Sequence, residues 1–281
     1  MSNLILEDTI NKLSDDDVKV RKEAVESLVG TTDESAIEPL IKATTDDNAQ
    51  VRFKAAEILG SMGEVAVDKL IEEFVNAEGK DKRFLAFALK ETEDKKVIPY
   101  FVDATEDEDF GVRKVAVRAL GELQAEGELD SIAKCLEDED WGVKLAAIQA
   151  LGDLATDESI KLIKDARKAE DDKDFKKSCN KAIKKAEKRK KAKASGKAIV
   201  KVIPMSTIKE MEKANLQKAI KEYERYVESK QPKDAAYKRL CVLYRKAGDY
   251  DNEVRVIETA IEVFDGTKKV DYFEKRLAKL K

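Results

Sequence analysis

An all-α solenoid of stacked helix pairs is the fold class this sequence predicts, and three observations predict it. A short motif returns at a fixed period. Val20-Arg21-Lys22-Glu23-Ala24-Val25 and Val51-Arg52-Phe53-Lys54-Ala55-Ala56 stand 31 residues apart, as do Val112-Arg113-Lys114-Val115-Ala116-Val117 and Val143-Lys144-Leu145-Ala146-Ala147-Ile148. The composition is 40% charged, with 12 Gly and 4 Pro in 281 residues, which suits long amphipathic helices and not a β-sandwich. Within each motif, apolar residues recur at helical spacing, as in Val112, Ala116, Ala119 and Leu120.

Each unit can be read in order. Asp17, Asn48, Asp109 and Asp140 precede the motif valines by three residues, the place from which a side chain caps the free N–H groups of a helix start. Gly30, Gly60, Gly121 and Gly152 follow, and they read as helix stops. A second apolar-periodic stretch comes next, as in Ile37, Leu40 and Ile41 or Ile160, Leu162 and Ile163. Pro39 and Pro99 fall near its start, where a missing N–H costs little. The interval between Val51 and Val112 holds one worn copy, Lys82-Arg83-Phe84-Leu85-Ala86-Phe87. Such a unit cannot bury its apolar face alone, so stacked units share one core. Residues 2–13 read as an N-terminal capping helix.

The pattern D-x-x-V-R-x-x-A-[AV]-x-x-L-G, followed by A-I-x-P-L-I, resembles the short HEAT-like repeats of the kind named for phycobilisome lyases, over roughly residues 13–169. The third unit lacks the Leu-Gly. The resemblance implies an interaction surface, a lyase subunit or, as in a related hydroxylase, a scaffold for a di-iron site. That iron is held by His-Glu pairs, and this chain has no histidine. Lyase activity would need a phycobiliprotein partner.

Charge divides the chain. Residues 1–172 carry 23 Lys+Arg and 42 Asp+Glu, whereas residues 173–281 carry 31 and 16. Such a split marks a boundary and suggests different partners for the two halves. Phe175, Cys179, Ala182, Ile183 and Ala186 recur at helical spacing, so a final solenoid helix runs into Lys188-Arg189-Lys190-Lys191. Ser195-Gly196 breaks the helix, Ile199-Val200-Lys201-Val202-Ile203 is extended in character, and Pro204 ends it. The expected organisation is therefore an acidic solenoid over 1–191, a linker over 192–205 and a second module over 206–281.

In that module Ala214–Ile220 aligns with Gly248–Val254 at a shift of 34 residues, the tetratricopeptide period. Tyr237, Leu240, Cys241 and Tyr244, then Ile257 and Ala260, resemble the large–small signature of one tetratricopeptide unit over 234–267. A degraded unit over 206–233 precedes it, with Ala219 and Tyr223 in matching places. Glu253 stands where the family has Ala. Val270, Phe273, Leu277 and Leu280 are spaced as a terminal capping helix. The groove-lining positions of the family fall on Lys238, Val242 and Arg245. The two cations suggest capture of an acidic peptide or a C-terminal carboxylate, although Val242 replaces the Asn of the carboxylate-clamp members.

No catalytic constellation emerges. The absence of histidine removes His-based nucleophile systems and His-ligated zinc. Cys135, Cys179 and Cys241 are far apart and read as buried thiols. No cofactor, metal or catalytic residue is expected. The ladder Arg21, Arg52, Arg83, Arg113 and Lys144 reads as structural, each cation pairing with an acid of a neighbouring turn. The acidic turns 15–17, 106–109 and 137–140 fail the EF-hand pattern and read as caps, or as an acidic rim for a basic partner. Trp141, placed like Phe110 one repeat earlier, reads as a packing residue, with base stacking as the alternative.

The residues singled out for partner contact are Lys184, Lys185, Lys188, Arg189, Lys190, Lys191, Lys238 and Arg245. The basic stretch also has an internal reading, in which it folds back on the acidic solenoid. The expected function is a non-catalytic cytoplasmic scaffold with protein partners and no membrane contact. One alternative is nucleic-acid or ribonucleoprotein binding through the Lys-rich segment 173–201. Another is a lyase-like helical-repeat enzyme.

Overall fold

The computed structural model describes residues 3–194, 205–214 and 216–280. The chain is all-α, and no strand occurs among the described residues. It divides into two compact units, residues 1–191 and 192–281. The break expected at Ser195-Gly196 and the extended stretch Ile199–Ile203 lie outside the described residues.

The first unit opens with α1 (Asn3–Asn11) and continues as helix pairs. These are α2 (Val18–Ser27) with α3 (Ile37–Ala43), α4 (Ala49–Ser61) with α5 (Glu64–Asn76), and α6 (Gly79–Thr92) with α7 (Ile98–Asp103). Then come α8 (Phe110–Glu122) with α9 (Leu129–Lys134), and α10 (Trp141–Leu154) with α11 (Asp157–Ala169). The helix α12 (Lys173–Ala194) runs three residues into the stretch expected to be linker. Pro99 sits in the first turn of α7, as expected. The first helices contribute Val25, Ala55, Leu89, Ala116 and Leu151 to the core, and the second helices contribute Leu40, Leu70, Phe101, Ile132 and Ile163. One apolar cluster extends from Leu6 in α1 to Ala182 in α12. Burying each large aliphatic side chain contributes about 1.5–3 kcal/mol, so every pair is held chiefly by its neighbours.

The glycines correct the sequence reading. Gly30 has the left-handed conformation of a helix stop (φ 81°). Gly60, Gly121 and Gly152 instead lie within α4, α8 and α10. A Cβ at Gly121 would fall 2.5 Å from the Cα of Ala150, and one at Gly152 would fall 3.1 Å from the Cβ of Ala182. At Gly60 it would meet Glu91 and the carbonyl of Ala88. These glycines let successive first helices approach at backbone distance. The left-handed residue that ends the helix comes about three positions later. It is Gly63 after α4, Glu93 after α6, Gln124 after α8 and Ala155 after α10, with φ between 56° and 60°. The signal misled because Gly is expected at both kinds of place, and in three of the four repeats just named a non-Gly residue takes the strained one.

The second unit contains α13 (Met205–Ala214), α14 (Leu216–Glu228), α15 (Asp234–Ala247), α16 (Tyr250–Val263) and α17 (Val270–Leu277). Its core is Ile208, Ala219, Tyr223, Tyr237, Leu240, Cys241, Ile257, Ala260 and Phe273, with Tyr244 partly buried against it. Asp249 caps α16 by accepting from the Asn252 N–H, and Gly248 (φ 74°) closes α15.

Two substitutions separate the two kinds of position. Gly121→Ala should destabilise the protein by about 2 kcal/mol, because backbone must shift to admit the methyl group. Glu93→Gly, at an exposed left-handed site, should stabilise it by about 1 kcal/mol. Urea midpoints measured by circular dichroism check both.

Candidate interaction surfaces

The turns between repeats are built from three acidic or amide residues in a row. Asp15-Asp16-Asp17, Asp46-Asp47-Asn48, Asp107-Glu108-Asp109 and Asp138-Glu139-Asp140 occupy equivalent places. The first carboxylate of each accepts from the N–H of the third residue, at 2.7–2.9 Å. The third residue caps the following helix. Asp17 accepts from the Lys19 N–H, Asn48 from Gln50 and Val51, Asp109 from Gly111 and Val112, and Asp140 from Val143. All four expected caps are therefore in place.

The arginine ladder staples these turns together. Arg113 donates through Nε and Nη2 to the two oxygens of Asp138 (2.7 and 2.9 Å), while its Nη1 reaches the carbonyls of Asp107 and Glu108 (2.9 and 3.1 Å). Arg21 repeats the arrangement with Asp46 ahead of it and the carbonyls of Asp15 and Asp16 behind. Arg83 forks onto Asp109 (2.5 and 2.6 Å) and lies 4.8 Å from the centroid of the Phe110 ring. Arg52 donates to the carbonyl of Asp46 and lies over Phe84. Among the described residues it pairs with no acid ahead, because the worn turn Ala77-Glu78-Gly79 has Ala where the other turns have their first Asp. The guanidinium hydrogen bonds hold the Asp109 and Asp138 carboxyls below the usual carboxylate range, against the opposing effect of burial.

The middle acid of each turn is left outward. Asp16, Asp47, Glu108 and Glu139 are all exposed. Asp47 and Glu139 stay mostly in solvent while touching Arg21 and Arg113 from outside. A surface cleft of about 630 Å³ beside this edge is lined by Glu78, Gly79, Lys82, Asp107, Glu108 and Asp109, and Lys82 is paired with Asp107 at 2.8 Å.

The basic segment divides by helix face. Asp172 caps α12 by accepting from the Phe175 N–H (2.8 Å), and Phe175, Cys179, Ala182 and Ala186 are buried. Lys185 (2.6 Å) and Arg189 both pair with Asp153, and Lys190 pairs with Asp157. Lys184, Lys188 and Lys191 point to solvent on the other side. Both readings of the segment thus find residues. Its inner cations are folded back onto the solenoid, and its outer ones are exposed.

In the second unit Lys238 pairs with Asp234 (2.9 Å) and lies 4.7 Å from the Tyr272 ring centroid. Arg245 donates to Glu253 (2.9 Å), which is fully buried and also held by Arg276 of α17 (2.7 Å). Glu253 thereby anchors the terminal helix. Two further carboxylates bridge helices in the same way. Glu212 accepts from Arg239 (2.9 Å) and Tyr223 (3.1 Å), and Glu224 accepts from Arg255 (2.5 Å) and Tyr244.

Burial pushes the thiols of Cys135 and Cys179 up to about 11, and that of Cys241 to about 12. They are small apolar fillers at neutral pH. Trp141 packs on Phe175, ring centroids 5.5 Å apart, joining α10 to α12. Among the described residues no group of three or more Cys, Asp or Glu is placed to hold a metal ion, and no helix is long and apolar enough to cross a membrane.

Residues 6–83 and 67–138 match a family model described as HEAT repeats, and residues 129–157 match one described as a HEAT repeat. Together the matches span more than half of the chain. It is a HEAT-repeat protein. The chain has structural counterparts of low sequence identity. The chain is similar to the complex of CpcE and CpcF of phycocyanin lyase from Nostoc sp. (21% identity, TM-score 0.50, covering 53% of this chain and 99% of that one). It is also similar to a designed armadillo repeat protein in complex with a (KR)4 peptide (17%, TM-score 0.44, 64% and 99%) and to an engineered protein (21%, TM-score 0.43, 66% and 99%). No curated protein matches the sequence.

The cross-turn staples of the HEAT array set its acid sensitivity. Because Asp109 and Asp138 are held low, their contribution is full above the ordinary carboxylate value near 4. It is lost as pH falls through the lowered values. Asp109→Asn with Asp138→Asn keeps the cap, since Asn48 caps equally well, but removes the charge. The double variant should be less stable than the parent by about 1–2 kcal/mol per link near neutral pH. The difference should be smaller at about pH 3, below the ordinary carboxylate value near 4, and should shrink further as pH falls through the lowered values. Urea titrations at the two pH values check this.

Proposed function

We propose that this chain is a non-catalytic scaffold whose acidic HEAT array holds a basic protein partner along the edge formed by the inter-repeat turns. The observation that carries this reading is the division of labour within each turn. The first and third residues are engaged in stapling and capping, and the second, Asp16, Asp47, Glu108 or Glu139, is presented outward once per repeat. A repeating row of like charges steers an oppositely charged partner and tolerates an extended one. Around the adjoining cleft Lys82 is paired with Asp107 and Asp109 caps α8, while Glu108 faces outward, which suits a contact surface more than a reaction centre.

We read the second unit as a tetratricopeptide-like module. The 34-residue shift brings Ala219, Tyr223 and Tyr226 of α14 onto Glu253, Ile257 and Ala260 of α16, and all six are buried. A carboxylate partner would reach Lys238 or Arg245 by exchange with Asp234 or Glu253. The groove therefore offers less than its two cations suggest.

The test is affinity purification from native lysate with the full chain, with and without nuclease, alongside a variant carrying Asp16→Asn, Asp47→Asn, Glu108→Gln and Glu139→Gln. A defined basic protein that survives nuclease and is retained about tenfold less by the variant is the expected outcome. Equal retention by parent and variant would remove the acidic edge from the function.

A further inference from the structure

The outward side of α12 carries a row of cations that the HEAT array leaves unneutralised. Lys173, Lys177, Lys181, Lys184, Lys188 and Lys191 follow one another at steps of three or four residues. On a helix of 3.6 residues per turn the six fall within about 80° of arc and extend for about 27 Å. All six are exposed, and the buried residues Phe175, Cys179, Ala182 and Ala186 occupy the opposite face. Asp174 is exposed on the flank of the row, and other nearby acids are engaged elsewhere. Asp153 holds Lys185 and Arg189, Asp157 holds Lys190, Asp171 holds Lys176, and Glu187 holds Lys164. Among the described residues none of the six lysines has an ion-pair partner.

We propose that this row is a docking surface for the phosphate backbone of duplex DNA, an activity separate from the acidic edge. Ammonium groups one turn apart on a helix stapled to a rigid array match a rigid polyanion, and duplex DNA carries one charge per about 1.7 Å of axis. The row contains no Arg, no aromatic and no aliphatic side chain. Base-edge reading combines Arg or Lys on guanine with Asn or Gln on adenine, of which the row offers Lys alone, and single strands are held by aromatic stacking. Protein interfaces are depleted in Lys, and membrane-surface helices insert apolar residues. What six bare lysines supply is sequence-independent contact with phosphates. The salt bridges of Lys185, Arg189 and Lys190 are positioning contacts, since they hold the helix with this face outward.

The test uses the full chain and a fluorescent DNA duplex of about 20 base pairs, followed by anisotropy as salt rises. The plot of log affinity against log salt should have a slope of about −5, since each of the six phosphates contacted contributes about −0.9. Replacing Lys173 and the other five by Gln should weaken binding at least about 30-fold at low salt, with an unchanged helical signal and melting profile. Replacing all six by Arg should keep affinity within a few-fold, since the charge alone is at work. The proposal is overturned if the parent does not bind the duplex at low salt, or if the six-Gln variant binds it equally. It is also overturned if the parent prefers a single strand, or if poly-glutamate displaces the duplex at equal charge, which would assign the row to an acidic protein.

Discussion

Close approach of successive first helices is the constraint on which the HEAT array depends. Helices meet at backbone distance where Gly121 faces Ala150 and Gly152 faces Ala182. That spacing sets the reach between one turn and the next. Arg113 can then grip Asp138, 25 residues ahead, while still holding the carbonyls of its own turn. Where the pattern is worn, the contacts change in step. Glu91 stands against Gly60, the turn at Ala77-Glu78-Gly79 has Ala in place of the first Asp, and Arg52 rests on Phe84. A repeat array distributes its stability over nearest-neighbour interfaces, and in this chain the small residues set the distance at which every other interface contact operates.

Charge is abundant, and its use depends on position. The same turn contains one acid that staples, one residue that caps and one that faces solvent, although all three look alike in composition. The same helix, α12, contains cations that fasten it to the array and cations that extend from it. The two outward surfaces are opposite in sign, an edge of acids and a row of lysines.

The second unit is held differently. Its core is richer in aromatics, with Tyr237, Phe264 and Phe273 in mutual contact. Carboxylates on α13, α14 and α16, the last of them fully buried, each bridge to neighbouring helices. Glu253 recruits Arg276 and so fixes the terminal helix, and it occupies Arg245 in doing so.

The sequence by itself determined the helical period, the four N-terminal caps, the apolar positions of both cores and the place of α12 as the last helix of the array. These rest on interactions within a few residues of one another, such as the Asp109 side chain accepting from Val112, and on a periodicity that a single helix already displays. The tertiary structure decided the role of Gly60, Gly121 and Gly152, the left-handed duty of Glu93, Gln124 and Ala155, and the engagement of Lys238 and Arg245. It also decided which lysines of the basic segment remain unpaired. The physical reason is distance along the chain. Arg189 meets Asp153 36 residues away and Arg276 meets Glu253 23 residues away. Such pairings exist only once helices have stacked at a particular spacing, and no local pattern records them.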